Sequence, residues 1–201
     1  MDIIINKSIE NLYNMDFEGN DIIACEDDCG NCSPEHYGPM HRKMFGTQEK
    51  KNYRYFNSGM MLMNVEQIRT KYNYDYYMKV AKDEWQFQME APDQDILNYV
   101  HWQKVKYVPF EDYNLFARLA YYCNISYEAV RDNISIIHFT WYKPWDGSVA
   151  HYPIEKLWWD YAKKTCFSSV LMSDFVDRTM LDNTSEKQIR ELQERCRKLE
   201  Q

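Results

Sequence analysis

Residues 56–64 read Phe56-Asn57-Ser58-Gly59-Met60-Met61-Leu62-Met63-Asn64. The apolar run from Met60 to Met63 predicts a buried strand, and Asn57 to Gly59 predict a tight turn leading into it. Downstream, Val65 to Val80 reads as a helix, followed by Trp85 to Glu90. Pro92-Asp93-Gln94-Asp95 opens the next helix, because Pro and acidic residues belong in a first turn, where amide donors are free. Ile96, Leu97, Val100 and His101 continue it at helical spacing. Val105 to Val108 and Ile134 to Phe139 read as strands, the second carrying His138 and broken by Thr140 to Trp145. Ile154 to Lys164 reads as an amphipathic helix. Upstream, Asp21 to Cys25 is a short apolar strand and Met1 to Asn6 a β-branched one. Lys7 to Asp16 carries Ile9, Leu12 and Tyr13 at helical spacing, with Ser8 as N-cap. Strands alternating with helices imply an α/β fold with a mixed sheet flanked by helices.

The chain has 201 residues, enough to bury a core without disulfides or a structural metal. Asp+Glu number 31 against 24 Lys+Arg, a net charge of −7, which matches phosphate backbones poorly and argues against a nucleic-acid partner. Hydrophobic residues at 45% and aromatics at 16% exclude a disordered chain. No run of 18 apolar residues exists, so no membrane-spanning segment is expected. The start lacks the basic and apolar regions of a secretory signal. Six cysteines without export predict reduced thiols in a cytoplasmic compartment.

Residues 26–51 are polar, with Gly30, Pro34, Gly38, Pro39 and Gly46, and predict a long loop. Loops of that length in a compact domain are usually functional or disordered. Cys25-x3-Cys29-x2-Cys32 is followed there by His36 and His41. Thiolates and imidazoles at these spacings can bind Zn²⁺. Glu26, Asp27 and Asp28 oppose thiolate formation, so reduced thiols in an active-site flap are the favoured reading, with Cys25 in the core. Residues 115–133 have no readable code and are expected to be loop. Near the C-terminus, Ser185 with Gln188 resembles a capping box. Ile189, Leu192, Cys196 and Leu199 then repeat at helical spacing. The expected organisation is a domain over 1–165 and a helical extension over 166–201. The ordinary reading of that extension is a solvated helix, the sharper one a dimer-forming or membrane-surface helix.

Asp2, Asp27, Asn57 and Asp93-Gln94-Asp95 sit where strands end or helices begin, and His138 ends another apolar segment. In open α/β sheets, ligands bind beyond the carboxyl ends of the strands. One carboxylate and one imidazole at such an edge can hold a cation of intermediate hardness, such as Mn²⁺. That ion would neutralise a diphosphate, and Lys143 could add a point charge to it. Each residue also has an ordinary reading. Asp2 is a turn former or cap, Asp93 and Asp95 complement a helix dipole, and His138 is a hydrogen-bonded structural histidine.

Several strings occurring in order decide between these readings. They are Phe56 to Asn64, Asp93-Gln94-Asp95-Ile96-Leu97-Asn98 and Ile137-His138-Phe139-Thr140 with Lys143-Pro144-Trp145. Together they resemble glycosyltransferase family 8, which includes lipopolysaccharide galactosyl- and glucosyltransferases and glycogenin. Asp2 to Asp27 and Tyr113-Asn114 are also similar to family segments, so the resemblance covers about residues 1–165. It implies a GT-A, Rossmann-like fold and retaining transfer of a hexose from a UDP-sugar, with Mn²⁺ or Mg²⁺, to a saccharide or glycolipid. By position, Asp2 resembles the last acid of the Asp-x-Asp metal motif, His138 the metal-ligating histidine and Lys143 the diphosphate-contacting lysine. Asp27, Asn57 and Asp93 resemble groups that hold the donor sugar. Gln94 resembles the residue beneath the sugar ring, whose weakly nucleophilic amide implies front-side substitution.

The sequence departs from that pattern in two places. Met1 stands inside the metal motif, so the strands that bind the nucleotide base are expected to be missing and this chain alone to be weak or inactive. Trp141 stands where many members have Gly, which puts close approach of the backbone to the diphosphate in doubt. The leading expectation is a cytoplasmic hexosyltransferase of polysaccharide or lipopolysaccharide synthesis, also placed at the inner membrane face and as a homodimer. The alternative is a non-catalytic fragment that binds carbohydrate or a partner through its aromatic surface.

Overall fold

The computed structural model describes residues 2–27, 54–83, 91–140, 143–146 and 152–182. Cys29, Cys32, His36 and His41, Trp141, Trp85 to Glu90 and the terminal stretch from Ser185 lie outside them. The strands are β1 (Ile3–Ile5), β2 (Ile22–Glu26), β3 (Phe56–Met63), β4 (Val105–Val108), β5 (Leu115–Phe116) and β6 (Ile136–His138). The helices are α1 (Glu10–Tyr13), α2 (Val65–Lys71), α3 (Tyr74–Asp83), α4 (Pro92–His101) and α5 (Phe110–Tyr113). They continue with α6 (Ala117–Tyr122), α7 (Tyr127–Asn133), α8 (Glu155–Ala162) and α9 (Ser168–Asp182). The chain forms two compact units, residues 7–114 and residues 1–6 with 115–201, each with its own three-stranded mixed sheet.

In the 7–114 unit, β2 is central, antiparallel to β3 and parallel to β4. Ile22, Ile23, Ala24 and Cys25 are all fully buried, as a strand covered on both faces requires. Ile22, Ala24 and Phe56 form a cluster packed by Met61, Leu97, Val105 and Tyr107. The expected turn at Asn57 to Gly59 is a bulge within a longer strand. Ala24 pairs with Met61, yet Glu26 pairs with Phe56, so β3 holds three more residues than β2 across that step. A bulge re-aims side chains that an unbroken ladder would alternate.

Other local expectations shift for identifiable reasons. The helix expected over 65–80 is two, because Tyr72 is extended and the Asn73 side chain accepts from the Tyr76 N–H at 2.9 Å, starting a new helix. The helix expected over 7–16 contracts to α1, with Ile9 at the N-cap. Ser8 does not cap it but accepts from the Glu10 N–H at 3.2 Å.

In the other unit, β6 lies between antiparallel β1 and parallel β5. Asn6 donates to the carbonyls of Arg131 (2.8 Å) and Ile134 (2.9 Å), closing the end of α7. Residues 115–133, expected to be loop, are β5, α6 and α7. Ser126 caps α7 by accepting from the Ala129 N–H at 3.1 Å. β5 has two residues and α6 is rich in aromatics, which is why neither shows a period. Trp158 packs on Trp145, and Trp159 packs edge-on against Phe175 of α9. No helix among the described residues is long and apolar enough to cross a membrane.

Candidate active site

Two groups of polar side chains gather at strand ends, one in each unit. In the 7–114 unit, β2 runs into Asp27, whose N–H donates to the Tyr55 carbonyl at 2.9 Å. Asp27 Oδ2 accepts from Asn57 Nδ2 at 2.8 Å and from Gln94 Nε2 at 3.1 Å. Gln94 Oε1 accepts from the Ser58 N–H at 2.8 Å and from Asn57 Nδ2 at 3.2 Å. Ser58 Oγ donates to Asp93 Oδ2 at 3.2 Å. Asp27, Asn57 and the consecutive pair Asp93 and Gln94 are thus brought into one hydrogen-bonded cluster, which Asp93 joins through Ser58.

The bulge and α4 build this cluster together. Three extra residues in β3 break its ladder with β2 and free backbone amides. Gln94 and Asn98, four apart and so on one helix face, meet them. Gln94 takes the Ser58 N–H, and Asn98 accepts from the Phe56 N–H at 2.9 Å and donates to the Phe56 carbonyl at 2.8 Å. Asp95, almost fully buried, accepts from Tyr55 Oη at 2.6 Å and from the Ala91 N–H at 3.1 Å, pinning the start of α4. Burial, then the Asp95 carboxylate, pushes the Tyr55 phenol far above its usual range, so it stays a donor.

Sequence reasoning named Asn98 and Asn114 only within the family-like strings and Asp95 there and at the helix start, and gave neither the two asparagines nor the Tyr55–Asp95 pair a supporting role. The four-residue spacing of Gln94 and Asn98 was a usable signal for Asn98. Asn114, fully buried, donates to Asn57 Oδ1 at 3.0 Å, and no local pattern reports that contact.

In the other unit, the Ile3–His138 register sets Asp2 beside the end of β6, where the Phe139 N–H donates to the Asp2 carbonyl at 2.8 Å. Asp2 Oδ2 stands 3.9 Å from His138 Nε2 and 2.7 Å from Lys143 Nζ, which also donates to the Phe139 carbonyl. Phe116 packs edge-on against the imidazole. Burial lowers the His138 pKa, Asp2 opposes that and Lys143 adds to it, so the ring is held neutral. Burial works to raise the Asp2 pKa, but the Lys143 hydrogen bond and charge outweigh it and hold the carboxyl ionised. A neutral imidazole and an ionised carboxylate beside a lysine are a donor set that suits a divalent cation bound with a diphosphate. No group of three or more His, Cys, Asp or Glu side chains that could hold a metal ion occurs among the described residues.

A third ionisable group lies at the other end of β2. Fully buried Asp21 contacts His101 Nδ1 at 3.1 Å and Lys71 Nζ at 3.1 Å, and His101 Nε2 lies 2.9 Å from Tyr77 Oη. Burial lowers the His101 pKa, against the pull of Asp21. β2 separates this cluster from Asp27, and it is a structural support.

Comparison with known proteins gives consistent results. The family model "Glycosyl transferase family 8" matches residues 1–148. Glycosyltransferase GlyB of Streptococcus pneumoniae serotype 4 is 26% identical over 188 residues, which are 89% of this chain and 41% of GlyB. The chain therefore spans less than half the length of that relative. Among solved structures, the apo bifunctional glycosyltransferase WbbM superposes with a TM-score of 0.63 at 18% identity, covering 86% of this chain and 33% of WbbM. An active-site mutant of LgtC superposes with a TM-score of 0.58 at 21% identity, covering 77% of this chain and 56% of LgtC. These likenesses show a GT-A-like α/β fold. With its first 148 residues matched by one family model, the chain belongs to glycosyltransferase family 8.

Proposed function

We propose that the chain carries the donor-handling part of a retaining hexosyltransferase. The donor is a UDP-sugar, the cofactor Mn²⁺ or Mg²⁺, and the acceptor a saccharide or lipopolysaccharide. The reading rests on Asp2 Oδ2, His138 Nε2 and Lys143 Nζ meeting at the end of β6. LgtC, a galactosyltransferase, has been solved with donor and acceptor sugar analogues, which supports a sugar donor here. In this reading residues 1–165 are the catalytic portion, 166–201 an extension, and the setting is cytoplasmic, at the inner membrane face.

Asp2 and His138 would hold the divalent ion, which supplies charge neutralisation for the leaving diphosphate. Lys143 would leave Asp2 for a diphosphate oxygen. Asp27 and Asp93, with Asn57 orienting Asp27, form the donor-sugar group, and Gln94 would lie beneath the ring. Gln94 Oε1 already accepts two hydrogen bonds, which makes it a poor nucleophile and favours front-side substitution. The acceptor hydroxyl oxygen bonds to the anomeric carbon on the face from which the carbon–phosphate oxygen bond breaks. The electron pair goes to the diphosphate, whose oxygen takes the hydroxyl proton.

The test is Mn²⁺-dependent hydrolysis of UDP-hexoses by this chain, with loss of turnover in Asp93→Ala. Binding without turnover favours a module that binds carbohydrate, for which the exposed Tyr74, Tyr121 and Tyr122 provide stacking faces. Absence of donor binding even at millimolar UDP-hexose, where a weakened site would still fill, overturns the donor reading.

A further inference from the structure

We infer that Asn114 is the positioning residue of the donor-sugar cluster and acts through Asn57. The inference rests on the hexosyltransferase reading above. A side-chain amide offers two N–H donors and an oxygen with two lone pairs. Asn57 uses all four. Its Nδ2 donates to Asp27 Oδ2 and Gln94 Oε1, and its Oδ1 accepts from the Gly59 N–H and from Asn114 Nδ2. This capacity is spent within the protein, so Asn57 sets the directions of Asp27 and Gln94, and these meet the sugar.

The amide has one correct sense. Turned over, it would set its carbonyl oxygen against the Asp27 carboxylate and Gln94 Oε1, and its NH₂ against the Gly59 N–H. Two donors hold the native sense. Gly59 belongs to the same bulge and moves with Asn57, so it is a weak reference. Asn114 comes from another element, the C-cap of α5, where its N–H donates to the Phe110 carbonyl at 3.0 Å. Its side chain is fully buried, out of reach of a ligand, so it acts by fixing Asn57.

A double-mutant cycle tests this on the full chain, with UDP-hexose hydrolysis and thermal unfolding as readouts. Asn114→Ala should still unfold cooperatively, and its kcat should fall about 10- to 100-fold, more than its KM changes. In the Asn57→Ala background the same substitution should change kcat by less than about twofold. Equal losses in both backgrounds, or a lowered unfolding midpoint with unchanged kcat, would overturn the inference. A second arm needs no turnover. In ¹⁵N-labelled chain, the side-chain NH₂ signals of Asn57 and Gln94 should shift in Asn114→Ala while the backbone spectrum stays dispersed. Unmoved signals reject Asn114 as the anchor. If wild-type chain neither binds nor hydrolyses UDP-hexose, the hexosyltransferase reading fails, and the amide spectra alone decide what Asn114 does to Asn57.

Discussion

Lys143 Nζ lies 2.7 Å from Asp2 Oδ2, the same oxygen that stands 3.9 Å from His138 Nε2. One carboxylate oxygen thus answers to a tethered cation and faces the imidazole that would share a divalent ion with it. The lysine and a divalent ion at Asp2 would compete. The Lys143–Asp2 pair is about one-third exposed, which limits it to roughly 0.2–1 kcal/mol, or up to about fivefold in affinity. Lys143→Met is therefore expected to tighten Mn²⁺ binding without nucleotide by up to about fivefold, read by the Mn²⁺ electron paramagnetic resonance signal. It should also weaken UDP-hexose binding in the presence of Mn²⁺. Weaker Mn²⁺ binding in both conditions would show that Lys143 does not compete for Asp2.

Gln94→Glu would set a second carboxylate against Asp27 Oδ2, 3.1 Å from the present Nε2. Two carboxylates at that distance do not both ionise easily, so one pKa rises. Once protonated, the introduced carboxyl reproduces the donor that Gln94 supplies. The variant should lose donor binding at pH 8 and regain part of it toward pH 5.5, measured by calorimetry against wild type. A pH-independent loss would show that the Asp27 contact is not what Gln94 provides.

Asn98 is fully buried and bonds both backbone groups of Phe56. Asn98→Ala leaves these without their partner, at roughly 1–3 kcal/mol for a buried polar group. The urea midpoint of the variant should fall accordingly. An unchanged midpoint would mean that the start of the bulge holds without α4.

His101 has a pKa below the ordinary imidazole value of 6.5 because it is buried. Between its folded pKa and 6.5 the unfolded chain binds more protons, so stability rises with pH across that window. Its contribution is complete above 6.5 and is lost as pH falls through the folded pKa. Asp21, also depressed, adds stability above its ordinary 3.8 that is lost at lower pH, so both act in the same direction. The thermal midpoint should fall from pH 7 to pH 5, and His101→Gln should flatten that slope. A wild-type midpoint that rises on acidification would contradict the neutral, buried imidazole.

Much of the architecture was legible because burial leaves a local mark. Ile22 to Cys25 and Val105 to Val108 read as strands and are strands. Pro92 with Asp93 and Asp95 announced α4, since a helix start accepts proline and favours acids. Where order depends on distant partners, the reading failed. β5 is two residues long and exists because β6 pairs with it. The bulge at Asn57 passed for a turn because the same residue types suit both.

The amino-acid order by itself determined an α/β alternation, a buried β2 and a set of carboxylates and amides at element ends. Periodicity, capping and composition act over a few residues and need no partner. Tertiary structure alone decided that Asn114, fifty-seven residues after Asn57, orients its amide, and that Lys143 closes onto Asp2. Hydrogen-bond direction and charge competition belong to pairs of groups, and only the folded chain chooses the pairs.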